Sequence, residues 1–169
     1  MKNAFFLLIA MGLLLGGCTL SQQPANTDTD ANSNTPTGNE IPVATANKLD
    51  LSNQQLTKVP NDVFNKTNLE ELDLSDNQLT GAVQSQIGQL KKLKILDLSD
   101  NLMTGVPAEV GQLQNLEILD LSNNQLTGLP YELGNLKNLK TLNISGNNYS
   151  TSDLNTIIEG LPVGVNIIK

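Results

Sequence analysis

The sequence lacks histidine and tryptophan altogether and contains a single cysteine in 169 residues. These absences exclude imidazole acid–base catalysis, a Ser-His-Asp triad, a Cys-His pair and a zinc site, because each of them needs the missing side chains. Paired carboxylates remain, but an open, solvated surface would not separate their pKa values for acid–base work. We therefore expect no catalytic residue, no resident metal and no cofactor, and hence a protein that is not an enzyme.

Arginine is also absent, so all ten basic residues are lysines, and seventeen acidic residues bring the formal net charge to −7. Without guanidinium groups the chain lacks the bidentate grip on phosphates that arginine provides, and an acidic surface repels a polyanion. We therefore expect no nucleic-acid partner. Aromatic residues make up only 3% of the chain, so leucine and isoleucine must supply most of the apolar surface that a core buries.

The first seventeen residues have the layout of an export signal. Lys2 supplies a positive charge, residues 4–15 form an unbroken apolar run, and Gly16 and Gly17 follow. This run is too short to cross the hydrocarbon layer of a bilayer as a helix, which takes about 20 residues. We predict a signal peptide over residues 1–17.

The four residues from Leu15 to Cys18 resemble the lipobox of bacterial lipoproteins. This resemblance implies that Cys18 is the lipid attachment site and, after cleavage, the first residue of the exported protein. The chain would then be anchored to a bacterial membrane, either at the outer face of the cytoplasmic membrane or at the outer membrane. The alternatives are a simple secretory signal with an incidental cysteine, or an uncleaved anchor.

Residues 18–45 are predicted to be the lipidated N-terminus and a disordered linker. The segment is rich in Asn, Thr, Ser, Asp and Pro and has almost no large apolar side chain before Ile41. It cannot bury enough surface to offset the entropy that ordering would cost. We expect a flexible tether that separates the folded domain from the membrane.

From residue 46 onward the chain repeats itself every 23 or 24 residues, with copies beginning at residues 46, 69, 93, 116 and 139. These copies resemble the leucine-rich-repeat pattern LxxLxLxxNxL. The resemblance implies an α/β, right-handed solenoid with one short parallel strand per turn and short helical or 3₁₀ turns on the convex side. We predict that residues 46–169 form this domain, with about five repeats and a C-terminal capping helix and strand.

Several local features follow from the repeat. The family resemblance implies a buried ladder of structural asparagines at Asn77, Asn101, Asn124 and Asn147. The copy at 69 has one extra residue, for which we predict a bulge on the convex side. We expect residues 41–43 to cover the first edge, a helix over residues 151–159 and a strand over residues 163–168 to cover the last, and hence a complete domain.

Function in this architecture is expected on the solvent-facing columns of the concave sheet. One column is predicted to run through Asp50, Asp73, Asp97, Asp120 and Asn143, a second through Ser52, Ser75, Ser99, Ser122 and Ser145, and a third through Lys48, Glu71, Ile95, Ile118 and Thr141. The Asp column brings like charges together, at a cost in stability.

Three interpretations of these columns are open. In the first, Asp-Leu-Ser is simply a common sequence of this family, and the Asp and Ser side chains form hydrogen bonds along the sheet. In the second, the columns form a recognition stripe for a basic partner with an apolar centre at Ile95, Ile118 and Leu102. In the third, they hold Ca²⁺ between Asp73, Asp76, Asp97 and Asp100.

The sequence as a whole predicts a non-catalytic, membrane-anchored interaction module at the cell envelope. Its partner is expected to be a protein, bound through the concave face, while a cell-wall glycan or extracellular polysaccharide is the alternative. The partner-binding residues predicted for this face are Glu71, Asp73, Ile95, Asp97, Leu102, Ile118, Asp120 and Thr141.

Overall fold

The computed structural model describes residues 47–169. The predicted signal peptide, the lipid site at Cys18, the linker and the predicted cover at residues 41–43 lie outside the described residues. Within residues 47–169, no helix has the length and hydropathy needed to cross a membrane.

A parallel sheet is the framework of residues 47–169. Each strand is three residues long and carries the central leucine or isoleucine of one repeat inward. The strands are β1 (Lys48–Asp50), β2 (Glu71–Asp73), β4 (Ile95–Asp97), β6 (Ile118–Asp120), β7 (Thr141–Asn143) and β8 (Asn166–Ile168). They lie side by side in the order β1-β2-β4-β6-β7-β8, each paired with the equivalent residues of the next. The predicted leucine-rich-repeat solenoid is confirmed.

The opposite side of each complete repeat is a five-residue 3₁₀ turn. In the described part of the chain these turns are η1 (Asn61–Asn65), η2 (Ser85–Gln89), η3 (Ala108–Gln112) and η4 (Tyr131–Asn135). Three of these turns directly follow a proline with extended backbone. Proline suits this position because its ring fixes φ at a value that the start of a helical turn accepts. The predicted short 3₁₀ turns are therefore present.

Leucines from the strands and from the turns fill the space between them. The inward leucine of each central strand and the leucine that directly follows the strand, Leu96 and Leu98 for example, are fully buried, as are Leu113 and Leu116 beyond the turn. By contrast, Leu49, Leu51 and Leu56 of the first copy are only partly buried. Among residues 47–169, no repeat precedes the first copy to pack against this side of its leucines.

The asparagine ladder follows the strands. The side-chain oxygen of Asn101 accepts a hydrogen bond from the backbone N–H of Leu79, and its amide donates to the carbonyls of Leu74, Leu98 and Ser99. Asn77, Asn124 and Asn147 bond in the same manner. Within the described residues, no buried side-chain nitrogen or oxygen is left without a partner.

The extra residue of the copy at 69 lies elsewhere than predicted. The turn η2 has the same five-residue length as its neighbours, so the convex side has no bulge there. Instead, the chain between strand and turn forms β3 (Thr80–Gly81), which pairs with β5 (Leu102–Met103). Gly81 has a φ of 67°, which glycine adopts without strain. The bulge prediction is wrong because the segment at Thr80–Gly81, and not the 3₁₀ turn, takes up the extra residue.

The last repeat is covered by the helix α1 (Thr151–Gly160) and by β8. The hydroxyl of Ser150 accepts the backbone N–H of Asp153 and so caps the helix. Leu154 and Ile157 of α1 are buried against the domain. The predicted terminal helix is present and ends one residue later than expected, whereas the strand is limited to Asn166–Ile168.

A close approach between successive 3₁₀ turns requires glycine. A Cβ at Gly111 would stand 2.2 Å from the carbonyl oxygen of Glu132 in the next turn. Backbone atoms cannot move aside without displacing the turn itself. By contrast, a Cβ at Gly105 would meet nothing within 4 Å, and the φ of this residue is not positive.

Gly111→Ala is therefore expected to destabilise the domain by about 1–3 kcal/mol, because the added methyl group overpacks the contact between turns. The control Gly105→Ala should leave stability unchanged or raise it by about 0.4–1 kcal/mol, because alanine has fewer unfolded conformations. Urea unfolding of both variants measures the difference. Equal stability of the two variants would contradict the close approach.

Candidate functional site

The outer face of the six-stranded sheet, which the sequence predicts to be concave, brings most of the predicted partner-binding residues together. Glu71, Ile95, Ile118 and Thr141 occupy equivalent positions on adjacent strands. Ile118 is 39% exposed and Ile95 is half-buried. The two isoleucines form a small apolar strip, and Glu71 at one end is paired with Lys48 at 2.9 Å.

The aspartate column lies beside this strip. Asp73, Asp97 and Asp120 pair in register on β2, β4 and β6, so their carboxylates are separated by about one strand spacing, ~4.8 Å. Asn143 continues the column, and its amide donates to the carboxylate of Asp120 at 2.8 Å.

Each aspartate is held by the serine two residues later in the same repeat. The carboxylate of Asp97 accepts both the backbone N–H of Ser99 at 2.9 Å and its hydroxyl at 2.6 Å. Asp73 and Asp120 accept the same pair from their own serines. The Asp and Ser side chains therefore bond within a repeat rather than from one strand to the next.

The serine column is not solvent-facing along its length. Ser99 and Ser122 are 8% and 6% exposed. The hydroxyls of both serines donate to the aspartates of their repeats. The amides of the ladder asparagines Asn101 and Asn124 donate to the backbone carbonyls of the two serines. The prediction that this column is solvent-facing is wrong for these two serines, which are buried with their hydroxyls bonded to the aspartates of their own repeats.

The centre of the acidic column and its first residue differ in their electrostatics. Burial raises the pKa of Asp97, and the neighbouring carboxylates of Asp120 and Asp73 raise it further, although the bonds from Ser99 oppose the change. At exposed Asp50 the bonds from the backbone and hydroxyl of Ser52 lower the pKa instead. The centre of the column therefore holds its negative charge at a cost.

A charged column beside the strip was not identified from the sequence. Glu70, Lys94, Glu117 and Lys140 follow one another on successive repeats, and their signs alternate. Lys94 contacts Glu70 at 2.6 Å, and Lys140 contacts Glu117. The Glu70 carboxylate raises the pKa of Lys94 by hydrogen bonding and charge. The 23- or 24-residue spacing of opposite charges is the signal that could have revealed it.

Leu102 lies apart from the other predicted residues. It is 44% exposed and belongs to β5, in the two-stranded sheet with β3. Its grouping with Ile95 and Ile118 at the centre of the outer sheet face is therefore wrong. The residue follows Asn101, where the chain has already turned away from β4.

The residues proposed for Ca²⁺ do not converge. Among residues 47–169, no group of three or more acidic, cysteine or histidine side chains is close enough to hold a metal ion. Asp76 and Asp100 stand at left-handed turn positions with a φ of 53°, and the carboxylate of Asp100 accepts the amide of Asn123. Asp76 and Asp100 are therefore turn residues and not part of a metal site.

An aromatic side chain at the flank of the domain was also not identified from the sequence. Tyr131 is 61% exposed and begins η4, at the position where the other turns have Asn61, Ser85 and Ala108. An aromatic residue at one of four otherwise small or polar positions is the signal that could have identified it.

Asp97→Asn is expected to stabilise the domain at pH 7 by roughly 0.5 kcal/mol, because it removes a like charge between two aspartates. Asn143 shows that an asparagine fits this column: its side-chain oxygen accepts the hydroxyl of Ser145, and its amide donates to the carboxylate of Asp120 in the preceding repeat. The raised pKa of Asp97 means that its contribution favours folding below about pH 4 and is lost as the pH rises. The gain in the variant should therefore vanish at pH 3.

Asp50→Asn is the matched control for this measurement. The lowered pKa of Asp50 means that its carboxylate favours folding at neutral pH and loses this effect as the pH falls. The control should therefore gain nothing at pH 7. Urea unfolding at pH 7 and pH 3 compares the variants, and a loss of stability in Asp97→Asn at pH 7 would refute the like-charge argument.

Comparisons with known proteins agree with this architecture. The chain is 41% identical to a leucine-rich-repeat protein of Leptospira interrogans, with a TM-score of 0.63 over 68% of this chain and 29% of that one. It is 34% identical to the leucine-rich-repeat ectodomain of a membrane receptor kinase from Arabidopsis thaliana, solved in complex with Casparian strip integrity factor 2. There the TM-score is 0.60 over 73% of this chain and 15% of that one.

A third solved structure, the BIR3–SERK2 complex from Arabidopsis thaliana, is 33% identical, with a TM-score of 0.58 over 70% of this chain and 65% of that one. The chain spans less than a third of the first two proteins. A search of curated protein sequences finds no significant match. The family model of the leucine-rich repeat region matches residues 47–161, and the chain therefore belongs to the leucine-rich-repeat family.

Proposed function

We propose that this protein is a non-catalytic interaction module that binds a protein partner through the outer face of its six-stranded sheet. The observation that carries the proposal is the strip of Ile95 and Ile118, a partly exposed apolar surface between the acidic column and the Glu–Lys column. An apolar centre inside a polar rim is the usual anatomy of a protein-binding patch.

The charges beside the strip favour a basic partner. Glu70 and Glu117 are each matched by a lysine, whereas the three aspartates at the centre have only serine and asparagine donors among the described residues. A partner that brings lysine or arginine to this column would relieve the like-charge repulsion. Charge complementarity of this kind speeds association and selects the partner.

Two of the structurally similar proteins support a protein partner by analogy. One is a receptor ectodomain solved in complex with Casparian strip integrity factor 2, and the other is the BIR3–SERK2 complex. A fold shared with them is a weaker warrant than the geometry of a site. A glycan is not favoured on the outer sheet face, because the strands described for residues 47–169 carry no aromatic side chain for stacking on sugar rings.

The size of the face limits the affinity. Six strands at ~4.8 Å span roughly 29 Å, and the strands are only three residues long. A standard interface buries about 800 Å² on each partner, so the loops must contribute as well. We expect weak single-site binding that becomes effective when many copies are displayed on a membrane.

The outer sheet face is tested by affinity capture from an envelope extract with the full chain as bait. The Ile95→Asp, Ile118→Asp double variant should lose at least about 90% of the captured partner, because it places charge in the apolar contact and adds to the acidic column. The control Tyr131→Asp introduces one such charge at an exposed aromatic side chain outside this face and should retain the partner. Both variants are first shown to unfold like the parent.

A partner that the double variant retains as well as the parent does would refute binding at this face. Loss of the partner in both the double variant and the Tyr131→Asp control would indicate a general effect of charge rather than a site. Increasing salt should weaken capture by the parent, because exposed charge pairs are screened within about 10 Å at 0.1 M.

We further propose that the protein is exported and anchored by lipid on Cys18, which would supply the display that weak binding requires. Two acyl chains give stable membrane attachment, whereas one chain is marginal. Growth of an expressing bacterium with an alkyne-labelled fatty acid should label the parent, and the labelled protein should sediment with membranes. Cys18→Ala should be unlabelled. Equal labelling of this variant would contradict attachment at Cys18.

A further inference from the structure

An open cleft of about 490 Å³ lies on the flank of the domain, away from the outer sheet face. Its walls come from the segments that join strand to turn in two adjacent repeats and from the start of α1. The buried side chains of Val106 and Leu129 form an apolar base. None of the predicted partner-binding residues lines this cleft.

The polar groups around the cleft are of two kinds. Thr104 and Thr127, which occupy equivalent positions in adjacent repeats, supply hydroxyl groups, and both are exposed. Glu132 and Asp153 supply carboxylates. Across residues 47–169, neither carboxylate is within ion-pair distance of a lysine, unlike Glu70, Glu71 and Glu117. The cleft therefore presents hydrogen-bond acceptors that the fold itself does not use.

Tyr131 adds an aromatic surface to these acceptors. It lines the cleft and is 61% exposed. An aromatic side chain exposed to this extent beside hydroxyl and carboxylate groups can contact an apolar surface of a ligand while the polar groups bind its hydroxyls.

Two glycines keep the cleft open. Gly105 and Gly128 line it, and neither has a positive φ. A Cβ at Gly105 would meet nothing within 4 Å, and one at Gly128 would approach only the carboxylate of Asp153, at 3.5 Å. Glycine at these positions lowers stability through the greater freedom of the unfolded chain, and the packing does not require it. A larger side chain at either position would occupy the cleft.

We propose that this cleft, lined by Tyr131, Thr104, Thr127, Glu132 and Asp153, is a saccharide-binding site separate from the protein-binding face. A pyranose ring presents C–H groups on its faces, which suit the tyrosine, and hydroxyl groups at its edge, which suit carboxylates and threonines. A cationic ligand would gain less, because ion pairs at exposed carboxylates contribute only about 0–1 kcal/mol.

The test is a calorimetric titration of the full chain with chitotetraose, cellotetraose and maltotetraose. The chain contains two tyrosines and no tryptophan, so in a Tyr149→Phe background its tyrosine fluorescence reports Tyr131 alone. At least one tetrasaccharide should bind and change this fluorescence. Tyr131→Ala should weaken binding about tenfold, and Gly105→Leu should abolish it, while both variants unfold like the parent.

Two controls separate this site from the outer sheet face. The Ile95→Asp, Ile118→Asp variant should bind the saccharide normally, and Gly105→Leu should capture the protein partner normally. No binding of any of the three tetrasaccharides at millimolar concentration would overturn the proposal. Binding that survives both cleft variants would overturn the placement of the site. A fluorescence response to a lysine-rich peptide but to no saccharide would overturn it in favour of a cationic ligand.

Discussion

The amide of one asparagine in each of the last four repeats fixes the register of the stack. Asn101 donates to the carbonyls of Leu98 in its own repeat and Leu74 in the preceding one, and it accepts the N–H of Leu79. A buried backbone group left without a partner costs about 1–3 kcal/mol. A slip of one residue between repeats would leave several such groups unpaired, so a single register is strongly favoured.

A fixed register turns every repeat position into a column on the surface, and a column multiplies the effect of its residue type. Alternating Glu and Lys at 70, 94, 117 and 140 become favourable neighbours. The aspartates at 73, 97 and 120 become unfavourable neighbours, and the raised pKa of Asp97 reports that repulsion together with burial. The serine bonds reduce this cost within each repeat. Surface electrostatics and fold are therefore set by the same repeat.

The parts of this structure that repeat could be predicted from the sequence. The strands recur in all five copies, the 3₁₀ turns in the first four and the ladder asparagine in the last four. Stacking such copies buries their leucines in one continuous core. The terminal helix also has a local signal, since Ser150 precedes it and Gly160 ends it.

Features that depend on a single copy could not be predicted in the same way. Whether the extra residue bulges at the turn or beside Gly81 depends on how β3 pairs with β5. The burial of Ser99 depends on the path of the chain after the strand. Leu102 is exposed to a similar extent as Ile118, but it belongs to the two-stranded sheet and not to the six-stranded one. Each outcome results from packing between repeats, which a pattern within one repeat does not specify.

The same geometry allows one small domain to present two surfaces of different chemistry. The outer sheet face is built from residues 70–75 and their equivalents, whereas the flank is built from residues 104–106 and 127–132 with the start of α1. The fully buried side chains of Met103 and Leu126 lie between these two stretches in sequence. Substitutions on one surface can therefore leave the other unchanged, because residues so separated usually make additive contributions. Because the fold depends on the inward positions of each repeat, the residues of the outer sheet face and of the flank can differ without disturbing it.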